Sequence, residues 1–97
     1  MSLKIEKKTP DTLCLAGRLD TMTAPELEAE LSALLPQAES LTLDMEKLDY
    51  ISSAGLRVIL KTQKALEKKA GLKLTHVPEA VKEVFDITGF SDFLTIA

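Results

Sequence analysis

The sequence predicts an α/β fold, in which a small mixed β-sheet is packed with about three to four α-helices. The sheet would combine an N-terminal antiparallel hairpin with parallel strands. Stretches with apolar residues at every second position, the period of a strand, alternate with stretches that have the three-and-four spacing of a helix. Their order is β-β-α-β-α-β-α with a possible last strand, and strands separated by helices imply right-handed parallel crossovers. We expect one domain that covers residues 1–97.

The hairpin is predicted from two alternating stretches, residues 3–7 and residues 13–17. The turn signal Thr9-Pro10-Asp11 separates them, and such a short connection favours antiparallel pairing.

The first helix is predicted from about Ala24 to Leu35, ending near Pro36. Thr23 precedes it as the expected N-cap, and Glu26 three residues later would complete a capping box.

The middle of the chain predicts a strand at residues 41–44, a polar turn at residues 46–49 and a second helix. This helix is expected from about Ser53 to Ala70, with Gly71 as its C-cap.

The last third predicts a short strand at residues 72–76, followed by a third helix. Pro78 and Glu79 would open this helix, and Thr88-Gly89 would break it. Residues 93–96 are expected to form a small closing strand or an extended edge.

The composition is that of an ordinary globular protein, with 45% hydrophobic and 28% charged residues. The net charge of −3 argues against nucleic acid or an anionic membrane as the main partner. The single cysteine, Cys14, lies in an apolar run and is predicted to be a small buried hydrophobic residue. No stretch is long and apolar enough for a signal peptide or a membrane span, so we expect no membrane insertion and a cytoplasmic location.

Ser52 and Ser53 lie where the third strand leads into the second helix. A helix N-terminus has free N–H donors and the positive end of the helix dipole, so it suits an anion. Catalysis by Ser53 would need a base, but the only histidine, His76, is predicted on the other side of the second helix. A Gly-x-Ser-x-Gly motif is also missing. A structural cap or a phosphoryl acceptor therefore fits these serines better than a nucleophile does.

The residues after Ser53 favour the acceptor role. Ala54 and Gly55 have little side chain and would let a kinase approach, and Arg57 lies one turn on, where it could pair with a phosphate. Arg57 also begins a basic ridge that continues in Lys61, Lys64 and Lys68. The ridge is either a solvated helix face or a patch for an acidic partner surface.

Three aspartates, Asp20, Asp44 and Asp49, follow or end predicted strands. Without a set of histidine or cysteine ligands or a calcium-loop spacing, turn and helix capping explains them better than a metal does. We therefore predict no metal site and no cofactor.

Several blocks of the sequence resemble the STAS domain family and are most similar to its stand-alone bacterial anti-sigma factor antagonists. The blocks are Gly17–Asp20, Ala24–Leu27, Leu43–Met45, Leu48–Arg57 and Ile87–Phe90.

The resemblance implies a non-enzymatic, partner-switching regulator of transcription. Such an antagonist binds an anti-sigma factor, which is also a serine kinase of the histidine-kinase-like ATPase fold, and is released when that kinase phosphorylates it. A PP2C-type phosphatase reverses the modification. The phosphorylated serine falls on Ser53, Ser52 replaces a usual acidic residue, and Ala54 replaces a following serine. The expected partner-binding residues are Asp20, Ser52, Ser53, Ala54, Gly55, Arg57 and Lys61.

Two other functions are also compatible with the sequence. The same fold could be a constitutive adaptor subunit of a transporter or sensory complex without phosphorylation, which Ser52 in place of the acidic residue favours. The amide-rich helix N-terminus alone would suit a small ligand or a nucleotide. We expect a monomer or a weak homodimer formed through an exposed sheet edge.

Overall fold

The computed structural model describes residues 3–92 and 94–96 of the chain. In this part of the chain the element order confirms the predicted alternation of strands and helices. The elements are β1 (Leu3–Thr9), β2 (Thr12–Leu19), α1 (Ala24–Leu34), β3 (Ser40–Ile51), α2 (Ser53–Leu66), β4 (Gly71–Thr75), α3 (Glu79–Thr88) and β5 (Thr95–Ile96), with short 3-10 turns at Leu35–Gln37 and Phe90–Asp92.

The five strands form one mixed sheet in the order β1-β2-β3-β4-β5. The β1–β2 hairpin is antiparallel, and the pairs β2–β3, β3–β4 and β4–β5 are parallel. This confirms the predicted hairpin and the parallel crossovers through helices. The closing strand is also confirmed as β5, which pairs with β4, although Phe93 of the predicted stretch lies outside the described residues.

One face of the sheet carries the hydrophobic core, and the helices cover it. Alternate side chains of the strands are buried there against apolar residues of α1, α2 and α3, with Leu27, Ile59 and Phe85 fully buried. The other face is polar and open. Cys14 lies on this open face, half-buried beside Asp44, so the prediction that it is a buried core residue was wrong.

The predicted polar turn at residues 46–49 is not a turn but part of β3, which continues to Ile51. β2 stays paired with this part of β3, and the register between the two strands shifts at two points. As a result the buried positions shift from a spacing of two, ending at Met45, to a spacing of three at Leu48 and Ile51. The longer strand carries the chain to the end of the sheet at which α2 begins.

The second helix ends at Leu66 rather than at Ala70, and Gly71 is not its C-cap. Gly71 is instead the first residue of β4 and has a φ of +99°. The amide of Ala70 donates to the carbonyl of Glu39 at 2.9 Å, which ties this turn to the residue before β3. Residues 67–70 therefore form the turn that leads from α2 into β4, which pairs with β3.

Candidate functional site

The N-terminus of α2 separates the roles of two adjacent serines. Ser52 is the N-cap, with its amide held by the carbonyl of Leu19 at 2.9 Å. Its hydroxyl oxygen accepts a hydrogen bond, 3.4 Å long, from the amide of Gly55. Ser53 is the first residue of the helix and its side chain is exposed. The structural cap is therefore Ser52, which leaves the hydroxyl of Ser53 accessible to a modifying enzyme.

The start of α2 also presents backbone donors. The first helical hydrogen bond runs from the amide of Leu56 to the carbonyl of Ser52 at 2.9 Å. The amides of residues 53–55 precede it and have no carbonyl acceptor within the helix. The Gly55 amide already donates to the Ser52 hydroxyl, so the amides of residues 53 and 54, together with the helix dipole, would favour a negative group on the Ser53 side chain.

Gly55 is buried where the first turn of α2 meets the ends of β2 and β3. A Cβ at this position would lie 2.6 Å from the Cγ atom of Leu19 and 3.0 Å from the Cγ1 atom of Ile51. The missing side chain therefore lets the helix lie close against the sheet, which is a different role from the access for a kinase that the sequence suggested. Ala54, which is half-buried, remains at the surface.

The Asp20 carboxylate organises the loop between β2 and α1. It accepts hydrogen bonds from the amide of Met22 at 2.9 Å and the amide of Thr23 at 3.1 Å, and it lies 3.7 Å from the Nε atom of Arg18. Desolvation alone would raise the pKa of Asp20, but these hydrogen bonds and the Arg18 charge outweigh it and lower the pKa below its ordinary value. Among the described residues its carboxylate has no hydrogen bond with Ser53.

Thr23 precedes α1 as predicted, but the capping box with Glu26 is absent. The Thr23 hydroxyl donates instead to the carbonyl of Arg18 at 2.8 Å and accepts from the amide of Asp20 at 2.9 Å. Its side chain is buried and ties the loop to the end of β2.

A shallow groove runs between α1 and α2, next to Ser53. It contains three of the predicted partner-binding residues, Ala54, Arg57 and Lys61. The remaining lining residues are Thr21, Ala24, Pro25, Glu28 and Val58. The groove therefore combines apolar and charged side chains.

The predicted basic ridge is not continuous. The ammonium group of Lys61 lies 2.7 Å from a carboxylate oxygen of Glu28 on α1, which offsets its charge across the groove. Lys68 lies beyond the end of α2, so it does not extend the helical face. Arg57 remains exposed one turn from Ser53.

Three exposed or half-buried residues at this end of the molecule were not predicted from the sequence. The guanidinium group of Arg18 lies 4.2 Å from the ring centroid of Tyr50, and the two residues are paired across β2 and β3. Met22 is 82% exposed in the adjoining loop. Tyr50 stands directly before Ile51 in the sequence. Because a turn was predicted at residues 46–49, the strand that carries Tyr50 was not recognised.

The three aspartates noted in the sequence are not brought together. Asp20 follows Leu19, which pairs with Ile51 at the end of β3. Asp44 lies seven positions before Ile51 on the same strand, a separation of roughly 23 Å at the rise of a strand. His76 pairs with Asp44, with its Nδ1 atom 3.2 Å from the carboxylate, so it does not approach Ser53 as a base. Asp44, Glu46 and His76 instead form a cluster of potential metal ligands whose donor atoms all lie within 4.8 Å of one another.

Comparison with known proteins gives consistent matches. The family profile described as "Mlab, STAS domain" matches residues 4–95. A protein of Bordetella bronchiseptica named "Putative anti-sigma factor antagonist BtrV" is 44% identical over 86 residues, which cover 87% of this chain and 74% of that protein. The anti-sigma-B factor antagonist of Bacillus subtilis is 36% identical over 84 residues, which cover 86% of this chain and 77% of that protein.

Solved structures match the fold over nearly the whole chain. The anti-sigma factor antagonist SpoIIAA in its unphosphorylated form has a TM-score of 0.77 and 24% identity, and the match covers 98% of this chain and 87% of that one. The Bacillus SpoIIAA structure in the phosphorylated form has a TM-score of 0.70 and 23% identity, and the match covers 98% and 90% of the two chains. Within the described residues, no helix combines the length and the apolar character needed to cross a membrane.

Proposed function

We propose that this chain, which belongs to the STAS domain family, is an anti-sigma factor antagonist whose binding is ended by phosphorylation of Ser53. The observation that carries the proposal is the exposed hydroxyl of Ser53 at the first position of α2, beside a groove that is lined by both apolar and charged side chains. The names of the relatives from Bordetella bronchiseptica and Bacillus subtilis support the antagonist role. SpoIIAA, which has a similar fold, is known in both phosphorylated and unphosphorylated forms.

The surface at the end of the sheet where α2 begins suits a protein partner when Ser53 is unphosphorylated. Met22 and Tyr50 expose apolar area, and the Lys61–Glu28 ion pair leaves Arg57 as the one uncompensated charge among the residues that line the groove. An exposed aromatic residue with a neighbouring arginine is a common centre of a binding surface. Here Arg18 already lies against the ring of Tyr50, which reduces the ordering needed on binding.

Phosphorylation would change this surface at one point. A phosphoserine brings nearly two negative charges, which the amides at the start of α2 and the nearby Arg57 can accommodate within the free protein. In the complex the same charges would have to be desolvated against a surface that matches a neutral serine. A loss of about 3 kcal/mol would lower the affinity more than a hundredfold.

The partners follow from this role. The binding partner would be an anti-sigma factor that is also a serine kinase of the histidine-kinase-like ATPase fold, and a PP2C-type phosphatase would restore Ser53. The chain itself would have no catalytic activity and would act in the cytoplasm as a single domain.

The first test is the intact mass of the protein recovered from its own cells, before and after phosphatase treatment, with peptide mapping. We expect one removable phosphate on Ser53. The Ser52→Ala variant is a control for the neighbouring serine, because it should weaken the helix cap but retain the phosphate. A phosphate that disappears in Ser52→Ala and persists in Ser53→Ala would show that Ser52 is the modified residue and would contradict the proposal.

The second test is the affinity of the purified chain for the serine kinase that copurifies with it, measured by calorimetry. Ser53→Asp should bind much more weakly than the wild type, and Ser53→Ala should bind like the wild type but resist phosphorylation. Equal affinities for all three proteins would contradict the switch.

A constitutive adaptor role is the second candidate. It is favoured by Ser52, which acts as a helix cap at the position where the resemblance to the antagonists implies an acidic residue. Copurification with a transporter ATPase and the absence of phosphate on Ser53 would favour this role over the antagonist.

A further inference from the structure

We infer that Asp44, Glu46 and His76 form a binding site for a divalent transition metal, best suited to Zn²⁺, on the open face of the sheet. Each side chain offers one donor atom, and these atoms all lie within 4.8 Å of one another. Two ligands of a tetrahedral Zn²⁺ ion with bonds of about 2.0–2.1 Å lie roughly 3.4 Å apart. The Asp44 carboxylate and the Nδ1 atom of His76 are already separated by 3.2 Å.

The sheet brings these ligands together from two strands. Asp44 and Glu46 are two positions apart on β3, so both side chains project from the same face. Thr75, the last residue of β4, pairs with Asp44 of β3, and His76 follows it immediately with a φ of +52°. The imidazole therefore comes from a backbone fixed by the sheet register rather than from a long loop.

The Asp44 carboxylate is positioned before any ion arrives. It is only 14% exposed, and its Oδ1 atom accepts a hydrogen bond from the amide of Glu46 at 3.1 Å. Glu46 and His76 are exposed, so a cation can reach them from solvent and the exposed side chains can close the remaining distance with small rotations. Positions left open in the coordination sphere would be filled by water.

The donor set decides the class of metal. One imidazole and two carboxylates match the nitrogen and oxygen ligands of Zn²⁺ and related transition ions, whereas Ca²⁺ and Mg²⁺ prefer oxygen ligands alone. The thiol of Cys14 lies 3.9 Å from the other oxygen of Asp44, just outside this set. The competing explanation of the geometry is a plain ion pair between His76 and Asp44 with no metal, and the experiment must separate the two.

This site is independent of the proposed switch, because it lies on the open face of the sheet at a strand's length from Ser53. A failure of one proposal therefore leaves the other intact. A bound ion would join β3 to the end of β4 on the face that no helix covers.

The test is titration of the full chain with zinc chloride in a calorimeter, with the thermal midpoint of unfolding as a second readout. We expect one Zn²⁺ per chain and a higher midpoint with the metal. His76→Gln and Glu46→Gln, both at exposed positions that should tolerate the change, should each lower the affinity at least about tenfold, since even ligand-orienting residues are worth that much.

Two matched controls make the result decisive. Glu6→Gln removes a carboxylate from the same face but two strands away, roughly 10 Å from Asp44, and should bind Zn²⁺ like the wild type. Cys14→Ser removes the thiol and should also retain binding. No binding by the wild type at millimolar zinc, unchanged binding by His76→Gln, or a loss of binding in either control would each overturn the assignment.

Discussion

Replacing Gly55 with alanine should destabilise the protein although the substitution lies within a helix. Glycine in a helix is normally less stable than alanine by about 0.5–1 kcal/mol, so propensity alone predicts a gain. The new methyl group would lie 2.6 Å from the Cγ atom of Leu19, well inside van der Waals contact. Both Leu19 and the neighbouring Ile51 are buried, so neither can move freely into solvent.

The expected loss of stability in Gly55→Ala is the difference between two opposing effects. Forcing a methyl group into a packed site costs roughly 1–3 kcal/mol, and the gain in helix propensity offsets part of it. The net loss should be about 1–2 kcal/mol, or a fall of roughly 4–16 °C in the thermal midpoint for a chain of this size. Urea denaturation followed by circular dichroism would measure it. Ala65→Gly, at an exposed position in the last turn of the same helix, should lose no more than about 1 kcal/mol and calibrates the propensity effect.

An equal or higher free energy of unfolding for Gly55→Ala would refute the close approach of α2 to the sheet. It would mean that the helix start can move outward without cost, and the position of Ser53 relative to the groove would then not be fixed by packing.

Two further predictions concern the loop before α1. Asp20→Asn should reduce stability near neutral pH. Its difference from the wild type should shrink as the pH falls below the ordinary aspartate value of about 3.9, because a lowered pKa gives stability that is present above the unfolded-state pKa and is lost when the folded carboxylate is protonated. Urea titrations at several pH values would measure this, and a constant difference would contradict it. Thr23→Val should cost about 1–3 kcal/mol, since it removes both hydrogen bonds of a buried hydroxyl and leaves the amide of Asp20 unpaired. The exposed Thr21→Val should change stability by no more than about 0.5 kcal/mol, and similar losses in both variants would argue against the buried hydroxyl network.

Hydrophobic periodicity was sufficient to predict the fold, because each strand and helix buries only one face. The hairpin, the three helices and the parallel crossovers all followed from that alternation. The errors occurred where tertiary pairing overrode local pattern. Residues 46–49 are polar enough for a turn, yet they continue β3 because β2 pairs with them through irregular register. Residues 67–70 have no helix-breaking residue, yet the helix stops at Leu66 so that β4 can reach the sheet.

The candidate site was predicted only in part for a similar reason. Sequence indicated two adjacent serines at a helix start, but only the path of the backbone distinguishes the cap, Ser52, from the exposed Ser53. Pairing across strands, such as Arg18 with Tyr50 or His76 with Asp44, depends on register, which a one-dimensional pattern does not contain. His76 accordingly had no predicted role, and no metal site was predicted.

The charge switch makes a last prediction, in which one substitution acts in opposite directions on two equilibria. An acidic side chain at the first position of α2 interacts favourably with the helix dipole and the free amides, so Ser53→Asp should raise the free energy of unfolding by about 0.3–1 kcal/mol at low salt. The same substitution should weaken partner binding. Asparagine has nearly the same shape as aspartate without the charge, so Ser53→Asn should neither raise the free energy of unfolding nor weaken partner binding. Added salt should reduce the gain in stability of Ser53→Asp. If Ser53→Asp instead unfolded more easily than Ser53→Asn, its weaker binding would reflect a damaged helix start, and a switch based on charge at an intact surface would have to be abandoned.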